Sequence, residues 1–181
     1  GLDKITYEVG DGKALRFPDG EFDGVILHTL LTHIPDPSEV LVEANRVLKA
    51  GGWLGVCDGD FATATLGVGS HDPLEACTAA FVDNFVTDKF FVRKMSALVK
   101  AAGFAVNPLR SYGLVETMTP GLTMSWVDRG ADALAQSGII DNKLADALKA
   151  EGRKRAEKGA FFGYMAYASL TAKKSGEAKR C

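Results

Sequence analysis

Two histidines and two aspartates follow strand-like apolar runs in the first third of this sequence. His28 and His33 come after one such run, and Asp58 and Asp60 come after the next. An imidazole titrates near neutral pH, and a carboxylate can take a proton from a nucleophile. His33 and Asp60 are therefore candidate catalytic groups. Local loop hydrogen bonds and an ordinary polar turn are the competing interpretations of the same residues.

A strand–helix–strand unit is predicted to position these groups. The apolar run over residues 22–27 is typical of a parallel strand that is covered on both faces. Residues 36–39 form a capping box with a proline at the first helical position, and apolar residues then repeat at helical spacing over residues 40–48. The glycine pair 51–52 is expected to end the helix, and residues 53–57 form the next strand. The local fold is therefore α/β.

The rest of the chain continues this alternation. A β-branched and aromatic run predicts a strand over residues 5–9, and Pro108 marks a bend in a strand pair over residues 104–115. An aromatic run predicts a last strand over residues 160–170. Hydrophobic periodicity predicts further helices over residues 74–85, 92–102, 118–137 and 141–157.

Composition narrows the classes of protein. The 181 residues fit one domain, and 46% hydrophobic residues suffice for a core. The net charge of −2 favours neither a nucleic-acid nor an acidic-membrane partner, and no apolar run is long enough to span a bilayer. The three cysteines form no CxxC pair, which indicates reduced thiols and no metal site. We expect a cytoplasmic protein.

Three consecutive motifs then become recognisable as a group. They are GDGKALRFPDGEFD at residues 10–23, LTHIPDP at 31–37 and EANRVLKAGG at 43–52. In order and spacing they resemble the middle of a class I S-adenosylmethionine-dependent methyltransferase. The similarity is greatest to the type 11 family of ubiquinone and menaquinone biosynthesis. The resemblance is strong over residues 4–60 and consistent to the end, where residues 159–173 look like the family's last strand.

The resemblance implies a Rossmann-like doubly wound α/β sheet. Family members begin with a strand, a glycine-rich turn and a second strand, and this sequence supplies none of them. We therefore expect a truncated domain over residues 1–174 whose first two strands are absent. Residues 116–158 are expected to form a helical insert that serves as a lid over the acceptor pocket. Residues 175–181 are expected to form a flexible tail.

The resemblance also implies a cofactor, S-adenosylmethionine, and residues that hold it. In the family, the carboxylate at the position of Asp11 accepts a hydrogen bond from the adenine amino group, and backbone beside it, here at Gly12, reads the ring edge. The residues at His28 and Thr29 meet the methionine moiety, and the histidine at His33 lies close to the sulfonium. Without the resemblance, an Asx turn is the favoured interpretation of Asp11, because Asp-Gly is common in such turns.

The resemblance implies methyl transfer to a small or lipid-like acceptor. Tyr112, Met124 and Trp126 are candidate apolar walls of its pocket, although side chains of these types more often belong to a core. Beyond His33 and Asp60, the catalytic residues are unknown, because positioning donor and acceptor does not require a fixed set of residue types.

Two other classes of function compete with this one. The chain could be a non-catalytic fragment or degenerate subunit, because loss of the two strands would expose the apolar edge at residues 25–27. A homodimer or the missing N-terminal portion would then cover that edge. A nicotinamide-dependent enzyme is the third class, but the sequence contains no G-x-G-x-x-G turn.

Overall fold

The computed structural model describes residues 4–175, which form a five-stranded mixed sheet with helices packed against it. Strand β1 (Phe22–His28) pairs in parallel with β2 (Leu48–Thr65), and helix α1 (Pro37–Val47) connects them. A 3-10 turn (Leu31–His33) lies between β1 and α1. The Asp36 carboxylate caps α1 by accepting a hydrogen bond from the Ser38 amide, whereas Glu39, the other residue of the predicted capping box, pairs with Lys13 at 3.4 Å. The predicted crossover is confirmed.

The end of α1 differs from the prediction. The helix ends at Val47, and Leu48 is already extended, so the glycine pair does not cap it. Gly51 instead has φ 73° within the first part of β2. A Cβ at Gly52 would lie 2.9 Å from the Lys49 carbonyl oxygen. The two glycines therefore let the chain turn tightly as it enters the sheet.

Strand β2 also extends beyond the predicted residues 53–57 in both directions, as far as Thr65 at its end. Its pairing with the last strand shifts register between Asp60 and Thr65, which marks a bulge. Within the bulge, the Thr63 hydroxyl donates to the Asp60 carbonyl oxygen and accepts from the Ala166 amide. These side-chain bonds replace ladder bonds, so the strand continues where residue types alone suggested a turn.

The second half of the chain follows the predicted order. Helices α2 (Leu74–Phe85) and α3 (Phe91–Ala101) are followed by the short strands β3 (Phe104–Val106) and β4 (Arg110–Glu116), with Pro108 in the bend between them. The last strand, β5 (Gly163–Lys174), is antiparallel to β2, β3 and β4. The sheet order is β1-β2-β5-β3, and β4 also pairs with β5.

Two further helices fill the connection between β4 and β5. Helix α4 (Leu122–Gln136) begins four residues later than predicted, because the Glu116 carboxylate accepts hydrogen bonds from its first amides. Burial alone would raise the pKa of Glu116, yet the bonds from Thr123 and its neighbours bring it below its ordinary value. Helix α5 (Asn142–Glu157) begins at the cap residue Asp141.

Two hydrophobic clusters lie on opposite faces of the sheet. The first packs α1 and α3 against residues such as Leu54, Val56 and Leu170. The second packs α2, α4 and α5 against Tyr167 and Phe61. Because side chains alternate along a strand, the two sets point to opposite faces.

The segment before β1 differs most from expectation. Residues 5–10 have no regular secondary structure, and the side chains of Ile5, Tyr7 and Val9 are exposed. The predicted strand over residues 5–9 is therefore wrong. A strand needs a neighbour for its backbone hydrogen bonds, and no strand within residues 4–175 pairs with this segment.

Strand β1 is also less covered than predicted. Within the described residues it pairs only with β2, and Ile26 on its open face is 80% exposed. The expectation of a strand covered on both faces is wrong here, because α1 and α3 cover the opposite face only.

Two further sequence predictions concern the C-terminal tail and membrane-spanning segments. Residues 176–181, most of the predicted tail, lie outside the described residues. In the part that is described, no helix combines the length and hydropathy needed to cross a bilayer.

Candidate functional site

A cavity of about 820 Å³ lies between the irregular segment of residues 6–17 and the start of α1. Asp11 and Gly12 line it together with the apolar side chains of Leu30, Ile34 and Val40. Its lining also includes the rings of Phe17 and Phe22. We call it the first cavity. It combines apolar walls with an acidic side chain, and its volume is in the range of small-molecule sites.

The first cavity brings together two of the predicted cofactor residues. Asp11 forms a turn, because its Oδ1 accepts from the Lys13 amide at 2.9 Å and its carbonyl accepts from the Ala14 amide at 3.1 Å. A Cβ at Gly12 would lie 3.5 Å from Val40 Cγ2, so a side chain there would narrow the cavity. The Asx turn and a position on a ligand-sized cavity are thus both present at Asp11.

An ion-pair cluster on α1 holds the segment that forms this wall. Glu43 Oε1 accepts from the Leu15 amide at 2.6 Å, and Arg46 Nη2 donates to the Leu15 carbonyl at 3.1 Å. The Arg46 guanidinium also binds the carboxylates of Glu43 and Asp19, at 2.7 and 2.6 Å. The sequence analysis gave these helix residues no role. Their spacing of three residues on one helix face was the available signal.

The charges in this cluster stabilise each other. The hydrogen bond from Arg46 lowers the pKa of Glu43 to about 2, against an ordinary value of 4.5, and the Leu15 amide adds to the effect. Arg46 donates hydrogen bonds to Glu43 and Asp19, and these bonds raise the pKa of Arg46. Glu43 is therefore ionised at any physiological pH, and the cluster remains intact.

His28 and Thr29 lie at the end of β1, outside the lining of the first cavity. Thr29 has φ 50°, and its amide donates to the Cys57 carbonyl at 2.9 Å. Its hydroxyl lies 2.6 Å from His28 Nδ1. The left-handed backbone turns the chain sharply away from β1 and into the 3-10 turn.

His33 lies on the other side of that 3-10 turn. Its Nδ1 is 3.0 Å from the Phe85 carbonyl oxygen, and its ring meets Phe61 edge to face with centroids 5.5 Å apart. A carbonyl only accepts, so Nδ1 carries a proton and the neutral ring keeps its lone pair on Nε2. His33 thus contacts a different part of the molecule from Asp11.

Asp58 and Asp60 have different hydrogen-bond partners. Asp58 is 1% exposed and accepts hydrogen bonds from the Thr32 amide at 3.2 Å and its neighbour Gly59 at 3.0 Å. It therefore positions the turn that carries His33. Asp60 Oδ2 accepts from Arg93 Nε at 3.1 Å, and its buried Oδ1 has no partner among the described residues.

The three predicted acceptor residues lie in three different places. Trp126 is fully buried, with its indole stacked on Phe81 at 5.8 Å. Met124 packs near Gly152, where α4 meets α5. Tyr112 is 52% exposed on the open face of the sheet and stacks on Tyr167. The structure does not bring them into one pocket.

Tyr112 also contacts a thiol. Its hydroxyl lies 3.1 Å from Cys57 Sγ, and this contact, together with burial, raises the pKa of Tyr112 to about 12. The phenol is therefore protonated at neutral pH. Within residues 4–175, no group of three or more histidine, cysteine or acidic side chains is arranged to hold a metal ion.

Comparison with known proteins supports the resemblance. Residues 1–56 match the family profile described as "Methyltransferase domain". An uncharacterized 37.1 kDa protein in transposon TN4556 of Streptomyces fradiae is 32% identical over 105 residues, which are 58% of this chain and 30% of that protein. The 27-O-demethylrifamycin SV methyltransferase of Amycolatopsis mediterranei is 41% identical over 59 residues, which are 33% and 21% of the two chains. The chain thus spans less than a third of the length of either relative.

The fold has counterparts among solved structures. A Bacillus halodurans protein, itself proposed to be a methyltransferase, superposes with a TM-score of 0.58 over 95% of this chain and 78% of its own, at 17% identity. The fold is therefore that of the Rossmann-like class I methyltransferases. Together with the family match, it confirms the resemblance to the S-adenosylmethionine-dependent enzymes of this class.

Proposed function

We propose that this chain contributes to methyl transfer from S-adenosylmethionine to a small or lipid-like acceptor. The observation that carries the proposal is the first cavity, whose lining combines Asp11 and Gly12 with Leu30 and Ile34. An acidic acceptor beside apolar walls suits an adenine ring, which has an amino donor on its edge and two apolar faces.

The residues of the first cavity fit the adenosine part of the cofactor. Asp11 would accept from the adenine amino group, Leu30 and Ile34 would contact the ring, and Gly12 would leave room for it. When bound, S-adenosylmethionine supplies an electrophilic methyl group, whose bond to sulfur breaks, with its electron pair left on sulfur, as the acceptor's lone pair attacks the carbon. His28 and Thr29 remain predictions for the methionine end, since they lie beside the cavity, at the end of β1.

Two groups are proposed to take a proton from the acceptor. His33 keeps the lone pair on Nε2, since Nδ1 donates to the Phe85 carbonyl. Asp60 keeps its Oδ1 free of partners among the described residues. Arg93 orients Asp60 through the other carboxylate oxygen.

Two observations support the proposed class of acceptor. The Amycolatopsis relative is named for methylation of an oxygen of rifamycin SV. In this chain, residues 116–158 pack α4 and α5 over an apolar cluster at the end of the sheet, which suits a lid for an apolar acceptor. Tyr112, Met124 and Trp126 remain predictions for that pocket. A cytoplasmic location also remains a prediction.

Photolabelling tests the cofactor site directly. We expect 8-azido-S-adenosylmethionine to label tryptic peptides 5–13 and 17–46, which carry Asp11 and Leu30, and unlabelled S-adenosylmethionine to suppress the label. Label in α4 or α5 only, or label that the competitor does not suppress, would contradict the proposed site.

A second candidate function is self-association. Within the described residues the outer edge of β1 has no pairing strand, and Ile26 beside it is 80% exposed. Two copies of such an edge can pair about a two-fold axis, because each supplies the same amide donors and carbonyl acceptors.

We expect a homodimer that Ile26→Lys weakens at least about tenfold by placing like charges at the interface. Ile139→Lys is the matched control, since Ile139 is 70% exposed at the α4–α5 connection. A monomer at all concentrations in light scattering would contradict this candidate.

A further inference from the structure

A second cavity, of about 450 Å³, lies between the end of β2, helix α2 and the start of α3. Its apolar walls include the rings of Phe61 and Phe90 and the side chain of Val82. Small alanine side chains at Ala62, Ala64 and Ala79 leave space between them. Charged side chains complete the lining at its exposed rim, so the cavity can admit a flat molecule of one or two rings that also carries a polar group.

The charged side chains around this cavity already have partners inside the protein. Arg93 binds Asp60 at 3.1 Å, and Lys89 lies 3.9 Å from Asp83. Glu75 Oε1 accepts from the Leu66 amide at 3.0 Å and from the Gly67 amide at 2.6 Å. A charged ligand would compete with these existing contacts, whereas a neutral ligand can bind without displacing any of them.

Thr78 differs from the other polar residues of the lining. It lies on α2, is 3% exposed, and its hydroxyl has no hydrogen-bond partner among the described residues. A threonine inside a helix commonly donates to the carbonyl four residues earlier, but no such bond forms here. Buried polar groups are rarely left unpaired, and Thr78 Oγ1 is itself buried, so a ligand group that donates or accepts must reach into the cavity wall beside α2 to pair with it.

The second cavity is adjacent to the proposed catalytic turn. His33 contacts Phe61, which lines the second cavity, and its neighbour Ile34 lines the first cavity. The two cavities therefore flank the same short turn. Such an arrangement suits a donor site and an acceptor site that share one set of catalytic residues.

We propose that the second cavity binds a neutral one- or two-ring molecule whose hydroxyl or amino group pairs with Thr78. Identifying that molecule with the methyl acceptor rests on the proposed function; the binding site itself does not. Phe61 and Phe90 would contact the rings, and the paired charges would exclude carboxylates and ammonium groups.

The test uses three naphthalene probes without any cofactor. 2-Naphthol has a hydroxyl and is neutral at pH 7, 2-methylnaphthalene lacks the hydroxyl, and 2-naphthoate carries a charge. Calorimetric and ligand-observed NMR titrations of the chain would give the three affinities, and methyl shifts of Ala62 and Ala79 would report the location. We expect 2-naphthol to bind about five- to tenfold more tightly than either analogue.

Variants of Thr78 isolate the hydroxyl. Thr78→Val keeps the shape and should abolish the preference for 2-naphthol, whereas Thr78→Ser should retain it. Thr171→Val, on the exposed part of β5, is the matched control and should change nothing. The proposal is overturned if 2-naphthol does not bind, if 2-naphthoate binds best, or if Thr78→Val keeps the preference. A separate titration with S-adenosylhomocysteine tests the proposed function by itself. If S-adenosylhomocysteine binds and 2-naphthol does not, only the proposal for the second cavity fails.

Discussion

The two cavities are built in different ways. One wall of the first is an irregular segment, residues 6–17, which the Glu43–Arg46 cluster ties to α1. The walls of the second are a strand and two helices that pack on buried aromatic rings. Polar contacts between side chain and backbone therefore set the shape of the first cavity, and close packing sets the shape of the second.

The packing around the second cavity is tight enough to restrict residue choice. A Cβ at Gly130 of α4 would lie 2.0 Å from the Cys77 carbonyl oxygen on α2, so the two helix backbones are in direct contact. Phe61, Phe81 and Trp126 fill the space beside them, with ring centroids 5.8 to 6.3 Å apart. Truncation of a large side chain in this region should therefore lower the free energy of unfolding as much as it does in a hydrophobic core.

The largest expected effect follows from the aromatic cluster. Trp126→Ala removes a fully buried side chain and should lower the free energy of unfolding by about 3–5 kcal/mol. Denaturant titration measures this change in the free energy of unfolding. Tyr112→Ala, at a half-exposed stacked ring, is the comparison and should cost about 1 kcal/mol. Equal losses in the two variants would contradict the assignment of Trp126 to the core.

A smaller and more local effect is expected at the first cavity. Glu43→Ala removes the acceptor of the Leu15 amide and frees Arg46, so hydrogen exchange at Leu15 should rise about tenfold or more. Global stability should change less than in Trp126→Ala. Glu157→Ala, at the end of α5, is the control. If Leu15 exchange is unchanged in Glu43→Ala, the cluster does not hold the segment.

The pH dependence of this cluster has a definite sign. The folded pKa of Glu43 is about 2, below its ordinary 4.5, so its contribution to stability is complete above pH 4.5 and is lost as the pH falls towards 2. The stability difference between the wild type and Glu43→Ala should therefore stay constant from pH 7 to 5 and shrink below 4.5. A difference that instead grows on acidification would contradict the ion pair.

The sequence predicted the first cavity better than the second. The motif around Asp11 and the capping box of α1 are local patterns, and local patterns survive in a single sequence. The crossover from β1 to β2 follows from the same signals. The second cavity depends on contacts between β2, α2 and α3, and no spacing in the sequence reports that Thr78 would lack a partner there.

The errors in the fold have the same physical origin. Residues 5–9 have the composition of a strand, but a strand also requires a partner, which composition does not supply. Strand β2 continues past Asp60 because the Thr63 hydroxyl bonds to Ala166 of β5, a residue 103 positions away in the chain. Long-range pairing decided both cases.

Calorimetric titration with S-adenosylmethionine and S-adenosylhomocysteine tests the central claim most directly. The first cavity predicts micromolar binding to the wild type, and a loss of about tenfold or more in Asp11→Ala, which removes the proposed adenine acceptor. Asp146→Ala, an exposed carboxylate on α5, should bind as the wild type does. No binding to the wild type, or equal binding to Asp11→Ala, would contradict the assignment of the first cavity to the cofactor.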